Sequence, residues 1–370
     1  MAKIKYRLFF NDEPATQEQL DRIDEISVEQ EIDMAWEARL TVPACMDDQG
    51  NWQNEDEPYM QPFARIRIEI QVADQDFVPL IDGPVVGHDQ ERSAQPGEST
   101  FTVIVQDDSI YLNRTEQVQC FENMTDDEIA TQLFSEFPEI DSSQVDAVPP
   151  ASSAVTPAVV QRGTAMQLLR QLARRNNMHA YVLPGDTSGG SIGYFAAFTR
   201  ESSDLPPLVP IGSNRNVDAF NLNYNPEQQS TVQAFSLSIG DKAIQSATSS
   251  FRNQDLLGDA LPGEESESAT QLARPTQSTG VDVQQRADAE SSRSALGIEA
   301  TGSTIPDCYA GVLQPYKLVQ VRGVNASMSG DYEITKATHT LTRSNYLQSF
   351  ELRRNGVSEG DAGGLLENIF

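Results

Sequence analysis

Residues 311–355 decide the fold, and they read GVLQPYKLVQVRGVNASMSGDYEITKATHTLTRSNYLQSFELRRN. Residues 318–322 alternate apolar and polar side chains, which is the period of a half-buried strand. The pattern predicts a second strand over 332–341, but its apolar residues change phase midway, so we expect a β-bulge near Thr335 and Lys336. A polar turn at 343–345 leads into a third strand that begins at Tyr346. Short strands joined by turns favour a small barrel or sandwich.

Three motifs in this stretch have a family-like order and spacing. They are V-x-V-x-G-V at 319–324, S-G-x-Y-x-I-T-K-x-x-H at 329–339 and Y-x-x-x-F-E-L-R-R at 346–354. Together they resemble the end of the phage late-control hub family, which includes the trimeric baseplate hubs of tailed phages and the hub part of VgrG spikes. Two further segments, QDDSIYLNR at 106–114 and LLRQLARRNNMHAYV at 168–182, resemble the same family. The residues that carry the main match are Val319, Val321, Gly323, Gly330, Tyr332, Ile334, His339, Tyr346, Phe350 and Arg353.

The resemblance implies a structural role without enzymatic activity. In that family each subunit carries two tube-like β-barrels, so a homotrimer presents a pseudo-sixfold ring that adapts a hexameric tail tube to a trimeric spike. The implied partners are the tail tube protein, other baseplate or distal tail proteins and a separate spike protein, because no needle follows residue 370. The implied location is the virion tail or an injection-machine baseplate, assembled in the host cytoplasm.

The predicted fold class is mainly β, with an inserted α+β module and two tube-like β-barrels. We predict a first barrel at 1–108, an inserted α/β module at 109–205 and strands at 206–250 that return to the first barrel. An acidic polar linker with a possible helix at 281–296 covers 251–299, a second barrel covers 300–356, and a tail covers 357–370. Four apolar residues form a hydrophobic tip in that tail, which could dock on a neighbouring molecule: Leu365, Leu366, Ile369 and Phe370.

The first unit shows strand periodicity and no helical pattern. Apolar and polar side chains alternate in four segments, namely Ile4 to Phe10, 34–42, 64–72 and 101–105. Residues 80–83 read as the end of a further strand, and residues 85–86 read as the start of the next. In the segment 64–72 the apolar residues face the core, so we expect Arg65, Arg67 and Glu69 to point outward.

The module carries two helix signals. Thr125 and Glu128 form a capping box ahead of an apolar run, and Gly163 with Thr164 precedes a second helix that ends at 176–177. Residues 141–157 read as a loop, and strands at 180–183 and 192–198 flank a glycine-rich turn at 185–190.

The formal net charge of −29 is the strongest compositional signal. It disfavours specific nucleic-acid binding, which needs Lys and Arg to neutralise phosphates. Only five residues are lysines, and acid-rich, lysine-poor chains are typical of salty environments, where the Debye length falls to about 3 Å at 1 M salt. The alternative is an acidic lining of a conduit, and both explanations can hold together. The lysines are Lys3, Lys5, Lys242, Lys317 and Lys336.

No constellation predicts a catalytic, cofactor or metal site. His88, His179 and His339 fall in three different units and are expected to be hydrogen-bonded structural residues. Cys45, Cys120 and Cys308 lack metal-ligand spacing and are expected to be buried or half-buried thiols.

Other acidic features are also explained without chemistry. Two pairs of adjacent aspartates, at 107–108 and 126–127, are expected by chance in so acidic a chain. The second pair is also favoured by the dipole of the helix that begins there. Residues 47–50 lack the ligand spacing of an EF-hand calcium loop. No apolar run long enough for a transmembrane helix and no signal peptide is evident. Two other classes stay open, a β-rich secreted or halophilic hydrolase with an unrecognised carboxylate site, and a cell-wall-binding module.

Overall fold

A computed structural model provides the structure of the chain. It describes residues 4–46, 57–95, 97–148, 158–237, 242–262, 269–273 and 283–358. The segment 47–50, which lacks EF-hand spacing, and the hydrophobic tip after 358 therefore lie outside the described residues.

The described elements are mainly strands. The first unit contains β1 (Ile4–Phe10), β2 (Glu13–Pro14), α1 (Gln17–Arg22), β3 (Glu25–Glu31), β4 (Glu37–Pro43), β5 (Arg65–Val72), β6 (Val78–Glu91) and β7 (Thr100–Gln106). The module contains α2 (Ser109–Leu112), β8 (Gln117–Phe121), α3 (Asp126–Ser135), β9 (Ile140–Val145), β10 (Val159–Gly163), α4 (Ala165–Arg175), β11 (Met178–Pro184) and β12 (Ser191–Ala197). The rest contains β13 (Val217–Tyr224), β14 (Ser230–Leu237), β15 (Ile244–Ser250), β16 (Ala269–Leu272), α5 (Val283–Ser294), β17 (Ile298–Thr304), β18 (Leu318–Val321), β19 (Gly330–Thr342) and β20 (Tyr346–Arg354).

One twelve-stranded sheet joins the first and last β-units of the chain. Its order is β13-β17-β20-β19-β3-β4-β7-β6-β5-β1-β2, with β18 also paired to β19. The long strand β19 makes the junction, since its first residues pair with β18 and its later residues pair with β3. The predicted bulge is confirmed, because the register against β20 shifts between Ile334 and Lys336. The two β-units are therefore continuous through backbone hydrogen bonds.

Two apolar cores lie against this sheet. The first is built from β1 and β3 to β7 and includes Trp36, Ile68 and Val103, while the second is built from β13 and β17 to β20 and includes Tyr332 and Phe350. The fold is mainly β, as predicted. The strand pairings of the described residues trace an open path from β13 to β2, so closure into two tube-like barrels stays a prediction.

Strand pairing differs from the predicted return of 206–250 to the first unit. β13 pairs with β17 of the last unit, and β14 pairs with β15 and β16 in a separate three-stranded sheet. Strand periodicity identified these segments as β, but it carries no information about which distant strand becomes the neighbour.

The first unit departs from its pattern in three places. Residues 80–86 belong to the single strand β6, which continues through Gly83 and Pro84 instead of breaking there. A short helix, α1, begins after Thr16, which forms a capping box with Gln19, a signal too brief to give helical periodicity. Met34 precedes β4 and is 55% exposed, so it is not part of the alternating buried set.

The module has a core of its own. The capping box at Thr125 begins α3 as predicted, and α4 begins after Thr164 as predicted, with a further capping box between Thr164 and Gln167. Both helices contribute buried leucines to the module core. The predicted loop at 141–157 is wrong in part, because Ile140–Val145 forms β9 and pairs in parallel with β12. β9 is a parallel edge strand with four polar residues between its two apolar ends. It therefore lacks the apolar alternation that identifies strands in sequence.

The polar segment 251–299 contains ordered elements as well. The predicted helix is present as α5, and its Ala287 and Ala289 are buried. Within the predicted linker, Ala269–Leu272 forms the strand β16 beside β14. None of the described helices is both long and apolar enough to span a bilayer.

Candidate functional surface

The large sheet has one side against the apolar cores and one side away from them, and the two parts of that second side differ. Around Arg67 and Glu69 of β5 and Asp82 of β6 it is covered by the module; we call this part the covered face. Over β17, β20, β19, β3, β4, β7 and the end of β6 it is not; we call this part the open face.

Buried charges occupy the covered face. Arg67 and Glu69, predicted to point outward into solvent, are 2% and 3% exposed, and Asp82 is fully buried. Arg67 Nε donates to Glu69 Oε1 at 2.6 Å, and its Nη1 donates to Asp82 Oδ2 at 3.0 Å. The prediction is wrong because alternation assigns a residue to a face and cannot reveal what packs on that face.

The glycine-rich turn between β11 and β12 covers these charges. Arg67 Nη1 donates to the carbonyl oxygens of Gly185 at 2.8 Å and Thr187 at 3.1 Å, and the Gly189 amide donates to Asp82 Oδ2 at 3.2 Å. Gly189 has a φ of +89°, which favours glycine over residues with a Cβ. The turn thus supplies backbone partners that satisfy a buried guanidinium and a buried carboxylate.

A second arginine continues the network into the start of the module. Arg65 makes two hydrogen bonds to Asp108, at 3.1 and 2.6 Å, and its Nε lies 2.7 Å from Asp82 Oδ1. Ser191 Oγ donates to Asp108 Oδ2 at 2.7 Å. Burial raises the pKa values of Asp82 and Asp108, although both arginine and hydrogen-bond contacts oppose that rise. The network fixes how the module sits on the first unit.

The acidic pair Asp107 and Asp108, expected to be a chance occurrence, is therefore structural. Asp107 accepts hydrogen bonds from the Trp36 amide at 2.5 Å and from the Ser109 amide at 2.9 Å, and burial raises its pKa to about 6. The two neighbouring carboxylates point to different partners. The sequence signals this structural role only through opposite charges, those of two arginines in one strand and of this acidic pair. Opposite charge alone does not show that the two groups are in contact.

His179, Asp33 and Tyr316 form a further contact between the module and both β-units. His179 Nδ1 lies 2.9 Å from Asp33 Oδ1, and the Asp33 amide donates to the Tyr316 hydroxyl at 2.8 Å. The rings of Tyr181 and Tyr316 stack with centroids 3.6 Å apart. Burial acts to raise the pKa of Asp33, but its hydrogen bond to His179 and nearby arginines lower the value overall.

The other two histidines lie away from this contact. His339 is fully buried, with Nδ1 2.7 Å from the Tyr346 hydroxyl and Nε2 3.3 Å from Gln30 Oε1, so it is hydrogen-bonded as predicted. His88 is half-buried in β6, with its ring centroid 5.1 Å from that of Phe101.

The cysteines differ from expectation. Cys45, Cys120 and Cys308 are all exposed: Cys45 follows the end of β4, Cys120 lies in β8 and Cys308 lies in a turn. The second acidic pair, at 126–127, lies in the first turn of α3 as predicted, and Asp126 also pairs with Arg175 of α4.

The open face is polar, continuous and acid-rich. The strand registers place its side chains in rows that cross from β17 to β6, one of which runs Thr301, Glu351, Lys336, Glu31. Serine and threonine fill much of the remainder. The acidic members of the face are Glu25, Glu29, Glu31, Glu37, Asp89, Glu91, Glu299 and Glu351, and the basic members are Arg39, Lys336 and Arg353, which pairs with the buried Glu333.

The few cations of the open face are engaged by its carboxylates. Lys336 Nζ lies 2.8 Å from Glu29 and 3.2 Å from Glu31, and the hydrogen bond to Glu29 raises its pKa. Arg39 lies 2.9 Å from Glu37 and 3.2 Å from an aspartate of β6. The remaining charge of the face is negative. Such a surface repels anions.

The fold is shared with known structures. A tail protein from Neisseria meningitidis MC58 aligns with a TM-score of 0.62 over 96% of this chain and 97% of that one, at 12% identity. A 43 kDa tail protein of prophage MuSo2 from Shewanella oneidensis aligns with a TM-score of 0.64 over 95% of this chain and 98% of that one, at 15% identity.

A secretion-system protein shares the fold too. It is a component of the Escherichia coli type VI secretion system, described as similar to the bacteriophage T4 tail proteins gp27 and gp5, with a TM-score of 0.54 over 95% of this chain and 76% of that one, at 12% identity. No model of a protein family and no curated protein matches the sequence. The chain has the fold of phage tail and type VI secretion proteins, so the predicted resemblance is confirmed at the level of fold.

Proposed function

We propose that the protein is a structural, non-enzymatic hub at the tip of a phage-like tail or of a contractile injection machine. Its neighbours in fold are tail and injection-system components, which supports a location in a viral tail or in such a machine. The observation that carries the proposal is the single sheet that joins both β-units and presents one acidic face.

In this proposal the chain forms a homotrimeric ring. Each copy contributes two sheet regions linked through β19, so three copies offer six similar regions around one axis. Such a ring matches a hexameric tail tube on one side and a trimeric spike on the other. The partners are the tail tube protein, a separate spike protein and other baseplate proteins, and the particle is assembled in the host cytoplasm.

The open face lines the conduit in this proposal. A negatively charged lining repels the phosphates of a passing genome and prevents it from adhering to the wall. The serines and threonines between the carboxylates keep the lining hydrated without providing an apolar surface on which a passing chain would bind.

The mass of the purified protein in solution tests the ring. Light scattering at low salt and at 1 M salt should give three times the chain mass of 40.7 kDa in at least one condition. Molar salt screens the repulsion between acidic copies, since the Debye length falls to about 3 Å, so the trimer should be more stable there. A monomer at both salt concentrations would contradict the trimeric ring.

A further inference from the structure

The separate sheet β15-β14-β16 differs from the rest of the chain in charge. Its strands read IQSATSS, STVQAFSL and ATQL, and they contain no Asp, Glu, Lys or Arg. In the whole chain 22% of residues are charged, about one in five. Each of the other sheets in the described structure has at least one charged strand residue. Depletion of charge is a compositional mark of the core of a protein interface.

One face of this sheet is covered and the other is open. Val232 and Ala234 of β14 are buried at 2% and 1% exposure on the side of α5, whose Ala287 and Ala289 are buried as well. The opposite face carries apolar side chains in solvent, namely Phe235 at 52%, Ile244 at 74% and Leu272 at 69% exposure. The registers place these three residues on the same side, one on each strand.

The two edges of the sheet have no further strand partner in the described part of the chain, and they are unlike each other. Among the described residues, β15 and β16 each have β14 as their single strand neighbour. β15 is antiparallel to β14, whereas β16 is parallel to it. Neither edge strand carries the lysine, proline or bulge that natural proteins use to prevent an edge from pairing with another chain.

We propose that this uncharged sheet holds the copies of the ring together, with the β15 edge of one copy against the β16 edge of the next. The inference rests on the proposed trimer and names the surface that makes it. A chain with a net charge of −29 repels a second copy of itself at most approaches. An apolar surface without charges is where two such copies can meet at least electrostatic cost.

The unlike edges determine the symmetry of the contact. Pairing of β15 with a second β15 would be a twofold contact and would stop at a dimer. Pairing of β15 with β16 is head-to-tail, and a head-to-tail contact generates a closed ring when the rotation permits. The edges therefore suit three copies around one axis.

A pair of substitutions tests the contact. Thr248 of β15 and Leu272 of β16 both flank Gln233, are both exposed and lie on the open side of the sheet. Thr248→Lys alone and Leu272→Glu alone each place an unpartnered charge in the contact. Each should raise the concentration at which half of the chains are trimeric at least tenfold, measured by light scattering over a dilution series at 1 M salt.

The double variant and a control complete the experiment. Thr248→Lys with Leu272→Glu in one chain places opposite charges across every head-to-tail contact and should recover the trimer. Val118→Glu, at an 80% exposed valine of β8, is the matched control and should leave the trimer unchanged. Circular dichroism and melting should be alike in all variants, because the three positions are exposed.

The possible failures are distinguishable. A trimer that persists in both single variants would overturn this inference and leave the proposed hub intact, with the sheet free for a different partner. Loss of the trimer without recovery in the double variant would overturn the head-to-tail contact. A monomeric parent chain would contradict the trimeric ring itself, and this inference with it.

Discussion

The covered face and the open face carry similar charged side chains on the same sheet, yet one set is buried and the other is hydrated. Arg67 and Glu69 on β5 are nearly inaccessible, whereas Arg39 on β4 is 49% exposed in its side chain. The difference arises from the turn at 185–190, which lies some 120 residues away in sequence from Arg67. Strand periodicity thus identifies a face, and long-range packing decides whether that face is an anchor or a free surface.

The largest contrast between the two faces should appear when an arginine is removed from each. Arg67→Ala removes one of the two arginines that contact each buried carboxylate, leaving Glu69 with Arg7 and Asp82 with Arg65, and loss of one partner of a buried ion pair costs about 3–5 kcal/mol. Arg39→Ala should cost less than about 1 kcal/mol, because its ion pairs are exposed. Urea unfolding measures both, and equal losses would show that the covered face is no anchor.

The core beneath the open face should give stability a distinctive dependence on pH. Burial lowers the pKa of His339 to about 3, while in the unfolded chain it is about 6.5. Between these values the unfolded state binds the proton and the folded state does not, so stability falls by about 1.4 kcal/mol for each unit of acidification.

His339→Gln should remove that dependence. Between pH 6.5 and 4.5 its free energy of unfolding should decrease by about 2–3 kcal/mol less than that of the parent chain. Asp107 acts in the opposite direction, because its pKa of about 6 exceeds the unfolded value and acidification towards pH 4 therefore adds stability. Asp107 is present in both the parent and the His339→Gln chain, so its contribution to the pH dependence cancels when the two are compared. Parallel pH profiles from urea titrations would refute a buried neutral His339.

Hydroxyl groups provide a third, smaller comparison. Ser191→Ala removes the hydrogen bond to the buried carboxylate of Asp108, and such bonds to charged groups contribute about 1.5–3 kcal/mol. Thr338→Ala on the open face should change stability by no more than about 0.5 kcal/mol. Thermal melting of both variants checks this, and a larger loss for Thr338→Ala would indicate an unrecognised contact on the open face.

Substitution of carboxylates on the open face should change the stability of the folded chain least. Neutralising Glu25, Glu299 and Glu351 to Gln together should stabilise the folded chain by less than about 1 kcal/mol at low salt, because exposed charges interact weakly. At 1 M salt the gain should vanish through screening. Chemical denaturation at the two salt concentrations measures it, and a gain that persists at 1 M salt would contradict an electrostatic origin.

The sequence predicts local structure better than it predicts contacts. The phase change in β19 and the capping boxes of α3 and α4 are local patterns, and the predicted bulge and helix starts are confirmed. The pairing of β13 with β17 and the burial of Arg67 depend on segments far away in sequence, and both were predicted wrongly. The domain limits drawn from composition stay predictions.

The resemblance to the hub family filled part of this gap. It rests on motif order in segments such as 329–339 and 346–354, and it implied a fold that alternation alone left open between a barrel and a sandwich. Neither source pointed to the uncharged sheet, whose significance depends on which strands come together. Its signal is present in the sequence as the absence of charge in three separated segments.

Electron cryomicroscopy of the purified chain at 1 M salt shows whether the chain forms a ring and where its open face lies. We expect threefold rings with a central channel, in which Glu25, Glu299 and Glu351 of the open face point towards the channel. Rings whose open face lies on the outer circumference, or particles without a channel, would contradict this expectation.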